Sequence, residues 1–406
     1  MKLSHAVQPS EHLGNLNMSR IVACLLIVVA VCAGVATSVP ARRADESANQ
    51  ANAQQLPGAR NEINAGEFPS LQAAIDALPD GGGIVRIPPG EFVINQPLQI
   101  HRDDVTLEGA GGSTHIRNET TSGQSAIVAS PPDGVDSIWR LRIANLRITG
   151  NENSGHGIHA NKVDEIFLEG ITVSENGGHG VFLDACYEDP RVCDSLFTYN
   201  KQTGLALAGC HDIVVAANHF EENQDAVTCM DGFNLCMNGN NLDDHLRHGV
   251  VIENTYGSVV AGNMIEECQG TAVVLDRDCY GITVSANVIA HNFGGGVDLR
   301  DAHGCAISAN TFTIVPKRGL VVGANSGRIT ISANNFSDSY IGNREKRPVD
   351  DQQATGIVIE EGAQDLAITG NVFSGLDTVA VATDGETAPR VTFANNLMRD
   401  VKAGNE

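Results

Sequence analysis

The sequence predicts an all-β solenoid in which short parallel strands stack coil upon coil. Three observations predict it: an Asn that returns every 22 to 25 residues, a Gly-led apolar strand of the same period, and aromatic residues at only 4%. With so few rings, any core must be built from Ile, Val, Leu and Ala, which suit thin stacked layers.

Along the chain, the first element reads as an export signal. Arg20 precedes the apolar run 21–36, and "SVPAR" offers a cleavage point after Ala41, so residues 1–41 are expected to be removed. The run is short of the ~20 residues a membrane span wants, leaving an uncleaved anchor as the lesser alternative. Met18 precedes the basic start of this signal, so the first 17 residues read as an extension of the gene start. Residues 42–62, rich in Ala, Asn and Gln at their start, read as a flexible linker. A single repeat domain is then expected over 63–400.

A helix opens that domain. In "SLQAAIDALPDGGG" (70–83), Leu71, Ala74, Ile75 and Leu78 fall on one helical face, Ser70 is placed as N-cap, and Pro79 and Gly81 stop the helix. It is expected to cover the open apolar end of the first coil, as solenoids require. Strands and turns follow through residue 111.

The coils come next. Aligned on the recurring residue, the series is Asn145, Gly170, Ser195, Asn218, Asn240, Asn263, Asn287, Asn310, Asn334, Asn371 and Asn395. One step of 37 residues equals a coil plus an insertion at 341–353. A second strand starts at Gly157, Gly180, Gly204, Ala226, Gly249, Ala272, Gly296, Gly319, Gly356 and Val379, with apolar residues one and three places on. That alternation is a half-buried strand. Each coil therefore holds at least two strands and cannot bury its apolar face alone. Stacked coils bring equivalent side chains over one another every ~4.8 Å, so the Asn side chains can form a ladder. The apolar residues two places on (Phe220, Ile265, Ile289, Phe312, Phe336, Phe373) are expected to stack inside.

Eight of the ten cysteines lie beyond the signal: Cys186, Cys193, Cys210, Cys229, Cys236, Cys268, Cys279 and Cys305. An even number in an exported chain permits disulfides, and the Cys186 to Cys193 spacing suits a loop staple; buried free thiols are the alternative. A net charge of −23 opposes binding to nucleic acid or anionic membranes. It also repels acidic polysaccharide unless cations intervene.

The stretch "FPSLQAAIDALPDGGGIVRIPPGEFVINQPLQI…VTLEGAG", followed by Asn-laddered coils, resembles the pectate-lyase-like superfamily of right-handed parallel β-helices. The resemblance spans roughly residues 63–400 and implies a single-stranded right-handed parallel β-helix. For function it implies polysaccharide chemistry of several kinds, by lyases, hydrolases or epimerases, alongside members without chemistry. Enzymes of that superfamily work on the outward face of one parallel sheet.

On the Gly-led strand the outward positions are two and four residues after the start. The latter reads Asn161, Asp184, Ala208, Met230, Glu253, Asp276, Arg300, Gly323 and Glu360, with Asp298 notable at the former. Asp276, Arg277 and Asp278 thus lie beside Asp298, Arg300 and Asp301, the densest charge cluster on that face. Such a cluster suits calcium-assisted β-elimination on a uronate polysaccharide. Asp276, Asp278 and Asp301 would hold Ca²⁺, Arg300 and Arg277 would serve as base or clamp, and Asp298 would assist. Asp276 and Asp298 alternatively form a hydrolytic pair, and an exposed ion-pair ladder is the bland reading.

Asp184, Glu253, His248 and Arg347 are expected to contact substrate, Arg347 from the basic insertion. A column before the Gly holds His156, His179, Asp225 and His248; "GHG" there resembles part of the polygalacturonase pattern, whose other pieces are absent, and a structural role is the stronger reading. "NNLDDHLRHG" (240–249) gathers Asp243, Asp244, His245, Arg247 and His248 in one turn region able to serve as a metal or substrate loop. A noncatalytic surface protein binding glycan or partners stays open, as does a homo-oligomer covering the last coil.

Overall fold

The computed structural model describes residues 56–337, 355–376, 378–385 and 390–402. The expected signal and the 341–353 insertion, Arg347 included, lie outside the described residues. No helix among the described residues is long and apolar enough to cross a membrane.

Each coil carries three strands, one more than the minimum expected, and like strands pair in parallel from coil to coil. They form three long sheets. Sheet I runs from Leu98–Ile100 to Val381–Thr383, sheet II from Asn61–Asn64 to Val391–Ala394, and sheet III from Gly90–Ile94 to Leu397–Arg399. The first strand begins inside the stretch read as linker and pairs with Gly83–Arg86. Helix α1 (Leu71–Asp76) is shorter than expected; Ser70 Oγ accepts the Ala73 N–H at 3.1 Å as N-cap. Its Leu71, Ala74 and Ile75 join the core, as does Leu78 beyond its end.

The Asn ladder is present. Asn218, Asn240, Asn263, Asn287, Asn310, Asn334 and Asn371 each donate Nδ2–H to the Oδ1 of the next, ending at Asn396, over 2.9–3.1 Å. Each Oδ1 also takes the main-chain N–H of the preceding ladder residue. Three expected slots were one residue early. Ile171 holds the slot assigned to Gly170, its N–H donating to Ser195 Oγ at 3.2 Å, and Asn396 the one assigned to Asn395. By register Leu146 takes the place of Asn145. The physical cause is the corner itself: the residue before each slot turns through the left-handed region, as at Asn145 (φ 54°), Gly170 (φ 61°) and Asn395 (φ 57°). Asn and Gly enter that conformation readily, so they imitate the ladder, although Ala217, Ala286, Ala309 and Ala333 hold the same corner elsewhere.

Inside, Phe220, Ile265, Ile289, Phe312, Phe336 and Phe373 are fully buried, and the last three rings stack at 4.5 and 5.0 Å. This column of buried rings explains the Gly that opens the sheet I strands at Gly204, Gly296, Gly319 and Gly356. A Cβ on Gly319 would lie 2.8 Å from the Phe336 ring and 2.7 Å from the Gly356 carbonyl. Where Ala226 and Ala272 replace Gly, the ring column narrows to Leu242 and Ile289. The last strand start is Ala380, one beyond Val379, since Ile357 pairs Val381.

All eight cysteines in the described residues are free. The Cys186–Cys193 staple is not formed because the two face opposite sides of the wall. Cys186 is buried and donates to Ala160 O at 3.5 Å, whereas Cys193 alternates outward from buried Val192. Burial pushes the Cys229 and Cys268 thiols up to about 12, which suits small inert core groups.

Candidate functional site

Sheet I presents its outward residues in two registered columns. Asn161, Asp184, Ala208, Met230, Glu253 and Asp276 stand in line. Beside them run His159, Phe182, Ala206, Thr228, Val251, Val274, Asp298 and Val321. Alternation in a strand places both columns outside while Val250, Ile252, Val273 and Leu275 fill the core. The expected positions of Asp184, Glu253, Asp276 and Asp298 are therefore met.

The charged end is a lattice of ion pairs. Arg300 Nε donates to Asp298 Oδ2 at 2.9 Å, and its Nη1 lies 3.5 Å from Asp276 Oδ2. Arg277 Nη1 donates to Glu253 Oε2 at 2.9 Å, with Asp231 at 3.7 Å. Partial burial opposes the charge of Arg300, but Asp298 and Asp276 outweigh it and raise its pKa; Glu253 does the same for Arg277. Both guanidiniums stay charged, so of the two expected roles the clamp fits and the base does not.

The three carboxylates expected to hold calcium do not converge. Asp276 faces Arg300, and Asp301 Oδ2 accepts the Asp278 N–H at 3.0 Å while its Oδ1 lies 3.4 Å from His303 Nε2. Among the described residues, ligand atoms of Asp243, Asp244 and Glu267 do come within 4.8 Å of one another. They lie at sheet III, away from the groove. Burial, then neighbouring carboxylates, raise the pKa of Asp243 and Glu267. Glu267 escaped sequence reasoning, although it follows Asp244 by 23 residues, one coil. The rest of that turn region disperses: His245 is fully buried, Arg247 pairs with Asp225, and His248 faces sheet I.

The column before the Gly is a second capping system. His156 Nδ1 accepts the His179 N–H at 2.9 Å, His179 Nδ1 the Thr203 N–H at 3.1 Å, and His248 Nδ1 the Thr271 N–H at 2.9 Å. Asp225 Oδ1 takes the His248 N–H at 2.9 Å in the same way. A main-chain N–H can only donate, so each Nδ1 is bare and each neutral ring carries its proton on Nε2. Burial holds His156, His179 and buried His245 at a pKa of about 4, against 6.5 for a free imidazole.

That shift has a sign. A depressed imidazole pKa contributes stability above pH 6.5 that is lost as pH falls towards 4, because the unfolded chain binds the protons first. The unfolding temperature should fall across that interval, and His245→Asn, which continues the run Asn176, Asn200, Asn223, should flatten the slope. An equal slope in wild type and variant would assign the acid sensitivity elsewhere.

Comparison with known proteins bears on this geometry. The family described as "Right handed beta helix region" matches residues 98–249, and the one described as "Periplasmic copper-binding protein (NosD)" matches 212–396. The chain is a right-handed parallel β-helix protein. No curated protein sequence matches the β-helix. Among solved structures, it resembles the mannuronan C-5 epimerase AlgE4 A-module of Azotobacter vinelandii (TM-score 0.63, 19% identity), covering 82% of this chain and 100% of that one. It resembles the DFA-IIIase of Arthrobacter chlorophenolicus A6 (TM-score 0.59, 12% identity) over 76% and 94%. Tailspike protein 3 of bacteriophage CBA120 matches at TM-score 0.59 and 13% identity over 82% of this chain and 61% of that one. The chain spans 58% of the length of the Geobacillus virus E2 ORF18 structure. These likenesses share the fold.

Copper does not fit the histidine column of the β-helix. A metal at Nε2 would need a lone pair where His156, His179 and His248 hold a proton. The convergent carboxylates Asp243, Asp244 and Glu267 form an oxygen set suited to hard cations instead.

Proposed function

We propose that this β-helix is an exported protein that binds an acidic polysaccharide along the outer face of sheet I and cleaves it by β-elimination. The observation that carries the reading is the placement of two guanidiniums, Arg277 and Arg300, half-exposed on successive coils and each flanked by carboxylates. A uronate carboxylate can replace Asp276 or Glu253 on them, and charge neutralisation there acidifies the adjacent C5 proton. Asp298 beside Arg300 takes that proton, the C4–O bond breaks, its electron pair leaves with O4 as a C4=C5 double bond forms, and solvent water protonates the departing oxygen. Asp184 and His248 extend the substrate contact along the same face. Calcium would be held by oxygens of the polymer together with single carboxylates among Asp276, Asp278 and Asp301, which do not converge on one point, and would supply neutralisation of the uronate charge.

A second reading, a noncatalytic glycan-binding solenoid, is favoured by the ion pairs themselves, since each Arg already has carboxylate partners. Ultraviolet absorbance of unsaturated uronate ends, followed on pectate and alginate with calcium and then chelator, separates the two. A calcium-dependent rise supports elimination; binding with neither absorbance nor new reducing ends leaves epimerisation or the noncatalytic solenoid, which the uronate composition of the recovered polymer separates. New reducing ends without absorbance would move the assignment to hydrolysis.

A further inference from the structure

The opposite end of the groove is built from rings rather than charges. His159 and Phe182, neighbours in one outward column, stack at 5.0 Å and 13°. His156 and His179 stack at 5.0 Å and 15°, and Phe182 lies 5.4 and 5.6 Å from them. Asn161 Nδ2 donates to Asp184 Oδ2 at 2.7 Å alongside. Five coils separate Phe182 from Asp298, a span of ~24 Å at the strand spacing.

Two features point to ligand oxygens here. The main chain occupies Nδ1 of His156 and His179, so their only remaining polar hydrogen is on Nε2, and no group among the described residues receives it. His159 Nε2 has no hydrogen-bond partner among the described residues and lies buried beside the stacked Phe182 ring, a costly state for an imidazole nitrogen, so a ligand hydroxyl would complete it on a turn of the ring. Phe182, among the three, adds an apolar edge of the kind that packs on the C–H surface of a sugar ring.

We propose that His156, His159, His179 and Phe182 form a hydrogen-bonding contact for a hydroxylated sugar ring, and that this contact takes no metal ion. The inference rests on the reading that a polysaccharide lies along sheet I, and places a second anchor on that chain five coils from the arginine clamp. The donors keep their form across the physiological range, because burial leaves the imidazoles neutral. The match to the family described as copper-binding covers residues 212–396 and leaves these three histidines out, and the tautomer at His156 and His179 is the wrong one for a metal at Nε2.

Two measurements test this on the full chain. Long-range ¹H–¹⁵N spectra should show bare Nδ1 and protonated Nε2 on His156 and His179, unmoved by added Cu²⁺. Calorimetry with the polymer that wild type binds should show His159→Gln and Phe182→Ala each weakening affinity about tenfold or more, with thermal unfolding on the same preparations separating lost ring packing from lost binding. Protonated Nδ1, or copper binding lost in His156→Ala, overturns the proposal. So does unchanged affinity in both variants while Arg300→Ala loses it, an outcome that spares the proposed function. Failure of wild type to bind any pectate, alginate or neutral glucan overturns both.

Discussion

Replacing Asn263 with Ala should cost about 2–3 kcal/mol of stability, since a buried polar group left unpaired costs roughly 1–3 kcal/mol and the lost side-chain bonds add to it. Asn263 is 2% exposed. Its Oδ1 accepts two bonds, from Asn240 Nδ2 at 2.9 Å and Asn240 N at 3.0 Å, and its Nδ2 donates to Asn287 Oδ1 at 3.0 Å. Ala leaves the Asn240 main-chain N–H without its acceptor, whereas Asn240 Nδ2 keeps the carbonyls of Val215 and Asn238, both at 3.1 Å. Asn396→Ala, at the partly buried end of the ladder, should cost distinctly less because solvent reaches the groups it frees. Urea unfolding of both variants checks the pair. A mid-ladder loss below that of the end variant would mean that the ladder reports the fold without stabilising it.

Arg300→Ala should lower turnover on a polyuronate by about 10²–10³, the usual cost of removing one preorganised donor to developing charge. The reasoning is electrostatic: the protein carries a net charge of −23, and Arg300 stands between Asp276 and Asp298. Removing it leaves two carboxylates facing an anionic substrate. Arg300→Lys should recover only part of the loss, because an ammonium cannot hold a carboxylate by two parallel bonds. Stability should change little, since the side chain is 45% exposed and exposed ion pairs contribute about 0–1 kcal/mol. Initial rates and thermal unfolding on the same preparations decide it: equal rates in wild type and Arg300→Ala would remove the clamp from the mechanism.

The architecture was legible because a period survives translation from chain to space. Alternation in "GVVIE" or "AVVLD" says which residues face outward without knowledge of any neighbour, and Glu253 and Asp276 stand where it puts them. Slots went astray where one residue type answers two demands, as at Asn145 and Asn395, which are turn formers beside the ladder. A second ladder, Asn176 to Asn200 to Asn223, repeats at 24 and 23 residues but is taken over by His245 and Cys268, so its run of Asn is too short to stand out. The candidate site was legible in position only. Whether Asp301 turns to a metal or to the Asp278 N–H depends on rotamers, on which spacing is silent.

Rings, too, were undercounted by composition. At 4% aromatic the chain looks unable to offer a surface for sugars, yet the solenoid lines up residues from successive coils and gathers His156, His159, His179 and Phe182 in one place. Repetition concentrates what composition dilutes.

The ladder has one further consequence, for how such a protein can change over generations. Between Asn334 and Asn371 the chain takes 37 residues instead of 22 to 25, and the bond between those two side chains is still 3.1 Å. Corner chemistry and coil perimeter are thus independent variables. An excursion entered after sheet III costs only the slow logarithmic growth of loop closure, so new surface can be tried at one rim of the tube while every hydrogen bond of the scaffold is inherited unchanged.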